Sequence, residues 1–292
     1  MKLTRRQLLK YGLRGTVLVT AGTAYANTWS GQIELTRPTL TIPSLPRQFH
    51  GLRIGHLSDL HASLIVSRDH IASAAQLLMR EKPDLIVLTG DFISGATKTI
   101  SGDMGAFDAS YLERCVEGLS ALSAPLGIYA VLGNHDFWSG PRAVEAICQR
   151  FREQLGVVWL RNESRALEKA GKKIHLLGVD DYWEASSSLH AAKQDVLPDE
   201  VSILLSHNPD INEEIDLGKT KIDLVLSGHT HGGQVVLPFV GQPFLPSGFG
   251  QKYRAGLVRD GARQTYVTRG VGHLLAPLRL NCPPEVTLLT LV

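Results

Sequence analysis

Short apolar runs recur along this chain, and most lead straight into glycine, aspartate, asparagine or histidine. Gln32–Ile42 alternates apolar and polar residues like an edge strand and passes into a proline-rich turn at Pro43–Pro46. Leu52–Leu57, Asp84–Thr89, Gly127–Leu132, Val201–Leu205 and Lys221–Leu226 read as strands, and the continuous apolar ones suit a sheet buried on both faces. Val157–Leu160, Leu167–Ala170, Lys173–Gly178, Gln234–Leu237, Gln264–Thr268 and Glu285–Leu291 complete the predicted strands. Helical spacing covers Asp69–Lys82, with Ile71, Ala75, Leu77 and Leu78 on its apolar face, and also Ser110–Ser123. A third helix runs from Pro141 to about Leu155, proline being well suited to a first turn. Strand and helix alternate first, then strands dominate. That order predicts an α/β fold of two packed mixed sheets with helices outside. Polar clusters at the C-terminal ends of strands are where such sheets gather ligands.

Composition adds little: 292 residues, 43% hydrophobic and 20% charged, are ordinary for one large α/β domain. Charge changes the picture more. Thr4-Arg5-Arg6-Gln7-Leu8-Leu9-Lys10 is a twin-arginine export signature, followed by a moderately apolar stretch and an A-x-A site at Ala24-Tyr25-Ala26. Residues 1–26 are therefore expected to be a signal peptide, with 27–292 as the functional domain. The expectation is export by the twin-arginine translocase to a periplasmic or extracytoplasmic location. The alternative is an uncleaved membrane anchor, for which the apolar run is short. Removing residues 1–26 takes away five basic and no acidic side chains, so the formal charge moves from +2 to −3. The basic balance is thus no nucleic-acid footprint, and no stable nucleic-acid partner is expected. Cys115, Cys148 and Cys282 show no metal-ligand spacing. The first two read as small core residues, and a single disulfide stays open.

The polar clusters carry the chemistry. In order they are Asp59-Leu60-His61, Gly90-Asp91, Gly133-Asn134-His135-Asp136, Ser206-His207 and Gly228-His229-Thr230-His231. Carboxylates, an amide oxygen and imidazoles without thiolate suit hard and borderline divalent metals, and so many ligands suit two of them. Asp59 and His61 would face one side if their segment stays extended; a turn with an exposed histidine is the plainer reading. Asp91 could bridge two cations or cap its loop. Asn134 could offer its amide oxygen or serve as a turn residue. His135 could donate a proton to a leaving oxygen, with Asp136 orienting its ring. His229 and His231, flanked by glycines, could splay their rings onto adjacent metals. Each alone has an ordinary structural explanation; five such clusters, most of them at strand ends, make coincidence improbable. Asp180-Asp181-Tyr182-Trp183 could line a cleft or form a capped loop. Arg269 and His273 could contact phosphate or be structural.

The ordered set D-x-H, G-D, G-N-H-D, H, G-H-x-H resembles the calcineurin-like metallophosphoesterase superfamily over about Leu52 to Val292. Leu57–His61, Leu226–Gln234 and Tyr266–Gly270 look like its bacterial branch that often carries export signals or membrane anchors. The resemblance implies a four-layer α/β/β/α sandwich with a two-metal site. One metal would take Asp59, His61, Asp91 and His231; the other would take Asp91, Asn134, His207 and His229. His135 would be the catalytic histidine, with Asp136 behind it. Where the superfamily often reads G-D-x-x-D, this chain has Ser94 and Gly95 after Phe92-Ile93. The implied activity is a phosphodiesterase in which a hydroxide bridging two divalent ions, Mn, Fe or Zn, attacks phosphorus in line. The many nitrogen ligands argue against Ca. Phosphodiester or pyrophosphate substrates, small or lipid, fit, and a membrane-surface association stays open. An alternative is a UDP-2,3-diacylglucosamine pyrophosphatase-like hydrolase of lipid A synthesis, although Gly102–Ala109 is too short and polar for an apolar lid. An alternative of another class is a non-catalytic metal-binding scaffold.

Overall fold

The computed structural model describes residues 31–94, 107–216 and 220–292. The expected export signal and Gly95 lie outside these residues, as does Gly102–Ala109 apart from its last three positions. In chain order the strands begin with β1 (Glu34–Thr36), β2 (Thr39–Leu40) and β3 (Leu52–Leu57). Helix α1 (Arg68–Arg80) leads to β4 (Leu85–Thr89), α2 (Ala109–Leu119) to β5 (Ile128–Val131), and α3 (Asn134–Trp138) and α4 (Pro141–Leu155) to β6 (Val158–Trp159). Then come β7 (Glu163–Lys169), β8 (Lys172–Gly178), the single turn α5 (Leu189–Ala192), β9 (Ser202–Leu205) and β10 (Leu224–Ser227). β11 (Gly256–Asp260), β12 (Arg263–Val267) and β13 (Glu285–Leu291) finish the chain.

Two mixed sheets result. The first has the order β1-β13-β3-β4-β5-β6, with β2 also on β13; the second has the order β11-β12-β10-β9-β8-β7. Their central strands are parallel, and antiparallel pairs occur at β3–β13, β7–β8 and β11–β12. Strand β4 shows why the central runs are continuously apolar. Ile86 and Leu88 point into the layer under the helices, while Leu85 and Val87 point into the layer between the sheets. In β10, Leu224 and Leu226 face the first sheet and Val225 faces a smaller outer cluster with Ile211, Ile215 and Ala192. A strand covered on both faces has no polar side to alternate with. The layers are thus helix, sheet, sheet and a thin helical cover, the α/β/β/α sandwich.

Local chemistry sets the helix ends. The Ser67 hydroxyl accepts from the His70 N–H at the start of α1, and Asp108 does the same for Ser110 in α2. Pro141 opens α4, and Gly156 closes it in the left-handed conformation (φ 65°). No helix among the described residues is long and apolar enough to cross a membrane. Cys115, Cys148 and Cys282 are all free thiols, the first and last buried.

Several boundaries differ from the sequence expectation. The single edge strand expected at Gln32–Ile42 is split into β1 and β2, with Pro38 between them. Gln234–Leu237 is not a strand. Gln234 is left-handed (φ 53°), and only isolated bridges join Val235 to Leu280 and Leu237 to Gly241. Strand β7 begins at Glu163 rather than Leu167, and β11 was not expected. Both are edge strands, mostly polar or half-exposed, so apolar content does not mark them. Helix α3 is too short to show a helical period.

Candidate metal centre

The loops that leave β3, β4, β5, β9 and β10 converge at one rim, where the C-terminal ends of both sheets meet. The first sheet delivers Asp59, His61, Asp91, Asn134 and His135; the second delivers His207, His229 and His231. All are buried, the seven expected ligands at most 4% exposed. The Asp59–His61 segment is not extended, as the two-residue spacing suggested. Asp59 and His61 are both left-handed, with φ of 53° and 47°. Asp91 (56°), His229 (70°) and His231 (51°) share that conformation. Left-handed backbone at a residue with a Cβ costs of order 1–3 kcal/mol and gathers at functional sites. Here it turns each side chain back toward the rim just after the strand ends. Two glycines permit the crowding. A Cβ on Gly228 would lie 2.2 Å from Asp59 Oδ2, and one on Gly133 would lie 2.3 Å from Asp91 Oδ1.

The side chains form two donor clusters that share Asp91. In the first, His61 Nε2 lies 3.0 Å from His231 Nε2 and 3.4 Å from Asp91 Oδ2, and His231 Nε2 lies 3.3 Å from Asp59 Oδ1. In the second, His207 Nε2 lies 3.2 Å from Asp91 Oδ2, 3.0 Å from Asn134 Oδ1 and 3.1 Å from His229 Nδ1. Asn134 Oδ1 is 2.9 Å from His229 Nδ1. Donors about 2.1 Å from a common cation lie roughly 3.0–3.4 Å apart in octahedral or tetrahedral arrangements, and the clusters match that spacing. His229 Nε2 is buried without a hydrogen-bond partner. The residues fit a pair of divalent ions.

Surrounding groups fix the ligand orientations. The His207 Nδ1–H donates to the Thr89 carbonyl at 2.7 Å, which leaves Nε2 as the free donor nitrogen. The His229 N–H donates to both Asp59 carboxylate oxygens, at 2.9 and 3.1 Å. The His135 N–H donates to Asp91 Oδ1 at 2.9 Å.

Electrostatics follow from burial and from these pairings. Burial pushes the Asp59 carboxyl up to about 6, although His207 opposes the rise. Burial alone would raise Asp91 too, but the imidazoles of His207, His135 and His61 overcome it and hold that carboxyl well below the usual range. Burial lowers His61, His229 and His231 well below normal, so their rings are neutral and ready to ligate. His207 is opposed by its burial yet raised to about 10 by Asp91.

His135 sits in α3, its ring edge-on to His61 (4.7 Å between centroids) and 4.5 Å from Trp138. Asp136 is buried beside it. Its carboxylate accepts from the backbone N–H groups of Gly133, Asp91 and Phe92, each at 2.9 Å. It thereby ties the start of α3 to the Asp91 loop through backbone groups. Burial, then Asp91, pushes its carboxyl up to about 7.

The 180–183 segment is a capped loop. Asp181 Oδ1 caps the loop by accepting from the Trp183 and Glu184 N–H groups, and the Trp183 ring lies edge-on to His229 at 4.4 Å. Asp180 forms a two-pronged pair with Arg161, and the Tyr182 hydroxyl donates to Glu214. Arg269 forms ion pairs with Glu34 and Glu285. His273 is buried beside His70, with 5.4 Å between ring centroids. Thr89, Trp138, Cys282 and Arg279 were not anticipated. Thr89 and Trp138 lie close in sequence to expected residues, whereas nothing in the pattern around Leu278-Arg279-Leu280 or Cys282 points to the site.

The family model described as calcineurin-like phosphoesterase matches residues 52–233. The chain is 37% identical over 240 residues to the Escherichia coli protein described as "Phosphodiesterase YaeI", covering 82% of each. It is 31% identical over 296 residues to the Bacillus subtilis "Uncharacterized metallophosphoesterase YkuE", covering 99% of this chain and 98% of that one. Among solved structures, a dimetal phosphatase from Danio rerio aligns with a TM-score of 0.48 and 15% identity, over 76% of this chain and 88% of the other.

Proposed function

Because this chain belongs to the calcineurin-like phosphoesterase family, and is therefore a metal-dependent hydrolase of phosphoric esters, we propose that it cleaves phosphodiesters at a two-cation centre. The observation that carries this reading is a run of three buried donor groups, Asp59–His61–His231, His61–Asp91–His135 and Asp91–His207–His229, linked through His61 and Asp91. Asp59, His61, Asp91 and His231 would hold one cation, and Asp91, Asn134, His207 and His229 the other. Two such cations supply Lewis-acid polarisation of the phosphoryl oxygens and acidify water.

The chain's own residues do the rest. Thr89 fixes the His207 tautomer, and the backbone of His229 fixes the Asp59 carboxylate. The backbone of His135 orients Asp91. The His135 ring, beside the shared carboxylate but outside both ligand sets, delivers a proton to the departing alkoxide. Trp183, 43% exposed and against His229, offers a flat apolar wall for one arm of the diester. The name carried by the E. coli relative supports diesters over monoesters.

The test is hydrolysis of bis(p-nitrophenyl) phosphate beside p-nitrophenyl phosphate by apoprotein reloaded with Mn²⁺, Fe²⁺ or Zn²⁺. Diester preference supports the proposal. Monoester preference overturns the substrate class, and inactivity with all three metals favours a scaffold. We also propose that the chain is exported by the twin-arginine route, on Arg5-Arg6 and Ala24-Tyr25-Ala26. Replacing both arginines by lysine should leave the protein in the cytoplasmic fraction; unchanged fractionation would refute it.

A further inference from the structure

Arg279 is fully buried within hydrogen-bonding reach of the metal centre. Its Nη1 donates to the carbonyls of His231 (3.1 Å) and Arg269 (2.9 Å). Its Nη2 donates to the carbonyls of Gly270 (3.3 Å) and Gly272, and lies 3.3 Å from His231 Nδ1. The planar guanidinium fork therefore spans two segments. One is the left-handed turn at His231, which ends the strand β10 loop of the second sheet. The other is the 269–272 strap that follows β12.

The strap in turn braces Asp59. Val271 N–H donates to the Ser58 carbonyl at 3.0 Å, and Gly272 N–H donates to the Asp59 carbonyl at 2.6 Å. A Cβ on Gly270 would lie 2.6 Å from the Asp59 Cβ, so strap and ligand are in direct contact. Arg279 thus fixes the distance between two ligands that come from different sheets and converge on the same cluster. The other cluster has its own supports: the Thr89 carbonyl for His207 and helix α3 for Asn134. Cys282 adds a second side-chain donor to the same His231 carbonyl, at 3.2 Å.

We propose that Arg279 is a positioning residue for the Asp59–His61–His231 cation site, acting through the His231 turn and the 269–272 strap. The proposal rests on the two-cation reading above. Lysine keeps the charge but has no planar fork, so it separates geometry from electrostatics.

The experiment is Mn²⁺ titration by calorimetry and electron paramagnetic resonance, on wild type and on two single-site chains. His229→Ala keeps the Asp59 cluster intact, and His231→Ala keeps the His207 cluster intact. Adding Arg279→Lys should weaken Mn²⁺ binding about tenfold or more in the His229→Ala chain, the size usual for lost outer support of a ligand. It should change binding less than about twofold in the His231→Ala chain, where the remaining His207 and Asn134 are held by the Thr89 carbonyl and helix α3 and touch Arg279 only indirectly. Equal weakening in both chains, or none in the first, overturns the proposal. Should Arg279→Lys fail to fold by thermal melt, Cys282→Ala removes the other donor to the His231 carbonyl. It should weaken the same site alone, and an unchanged affinity there counts against the proposal. A wild type that binds fewer than two ions refutes the two-cation reading instead, independently of Arg279.

Discussion

His135 and Asp91 are joined by a backbone hydrogen bond of 2.9 Å, yet their replacement should have opposite signatures. Asp91→Asn removes the charge shared by both clusters, so metal analysis after dialysis should show loss of bound ions along with activity. His135→Ala leaves every ligand in place. It should retain metal while turnover falls by roughly 10²–10⁴, the usual contribution of a positioned acid. Full turnover in that variant would remove His135 from the chemistry. Another buried histidine sets a pH dependence. His56 is fully buried, with its Nε2 2.8 Å from the Thr89 hydroxyl, and burial lowers it from 6.5 to about 4, with Glu285 opposing the shift. A histidine lowered on folding stays neutral in the fold while the unfolded chain takes up a proton. Stability is therefore complete above pH 6.5 and is lost as pH falls toward 4. The shift corresponds to roughly 3 kcal/mol at full extent. Urea midpoints of metal-free protein should fall more steeply between these pH values in wild type than in His56→Gln. Parallel curves would show that another group sets the acid limit.

Packing between elements offers a prediction in which two effects compete. Gly118 lies inside α2, where alanine would gain about 1 kcal/mol of helix propensity. A Cβ there, however, would lie 2.7 Å from Ile71 Cγ2 and 2.8 Å from Ile71 Cβ on α1. The β-branched Ile71 cannot rotate its own Cβ away, and overpacking typically costs about 1–3 kcal/mol, so the clash outweighs the propensity. Gly118→Ala should lower the unfolding free energy by about 1 kcal/mol with metal stoichiometry unchanged. A stabilised variant would mean that α1 and α2 can move apart. The same scale separates what the sequence displays from what it hides. Strands such as Leu85–Thr89 are legible because burial on both faces leaves an unbroken apolar run, and Gly90-Asp91 marks where that run stops. Polar edge strands such as Gly256–Asp260 carry no such mark. The positions of Asp59 and His61 were legible, but their left-handed backbone was not, since the residue types suit an extended segment equally well. Asp136 was legible as a neighbour of His135, while its bonds to backbone amides depend on how the Asp91 loop folds back. Arg279 was illegible for a related reason: its partners are carbonyl groups, which every residue carries.

For the molecule as a whole, the centre draws four expected ligands from the first sheet and three from the second. Ion binding to the folded form alone adds RT ln(1 + [L]/Kd), about 2.7 kcal/mol per site at a hundredfold excess over Kd. Saturating Mn²⁺ should raise the melting temperature of apoprotein, and chelation should reverse the rise; equal melting with and without metal would mean that no ion joins the sheets. Asp91 raises the affinity of His207 for protons, and a ligating imidazole must be deprotonated, so acid should favour ion release. Ligands this deeply buried, and divided between two sheets, have a kinetic consequence as well. An ion held from both rims would be released only after ligands of both sheets had let go of it, so its exchange should be slower than from a site built on one sheet alone.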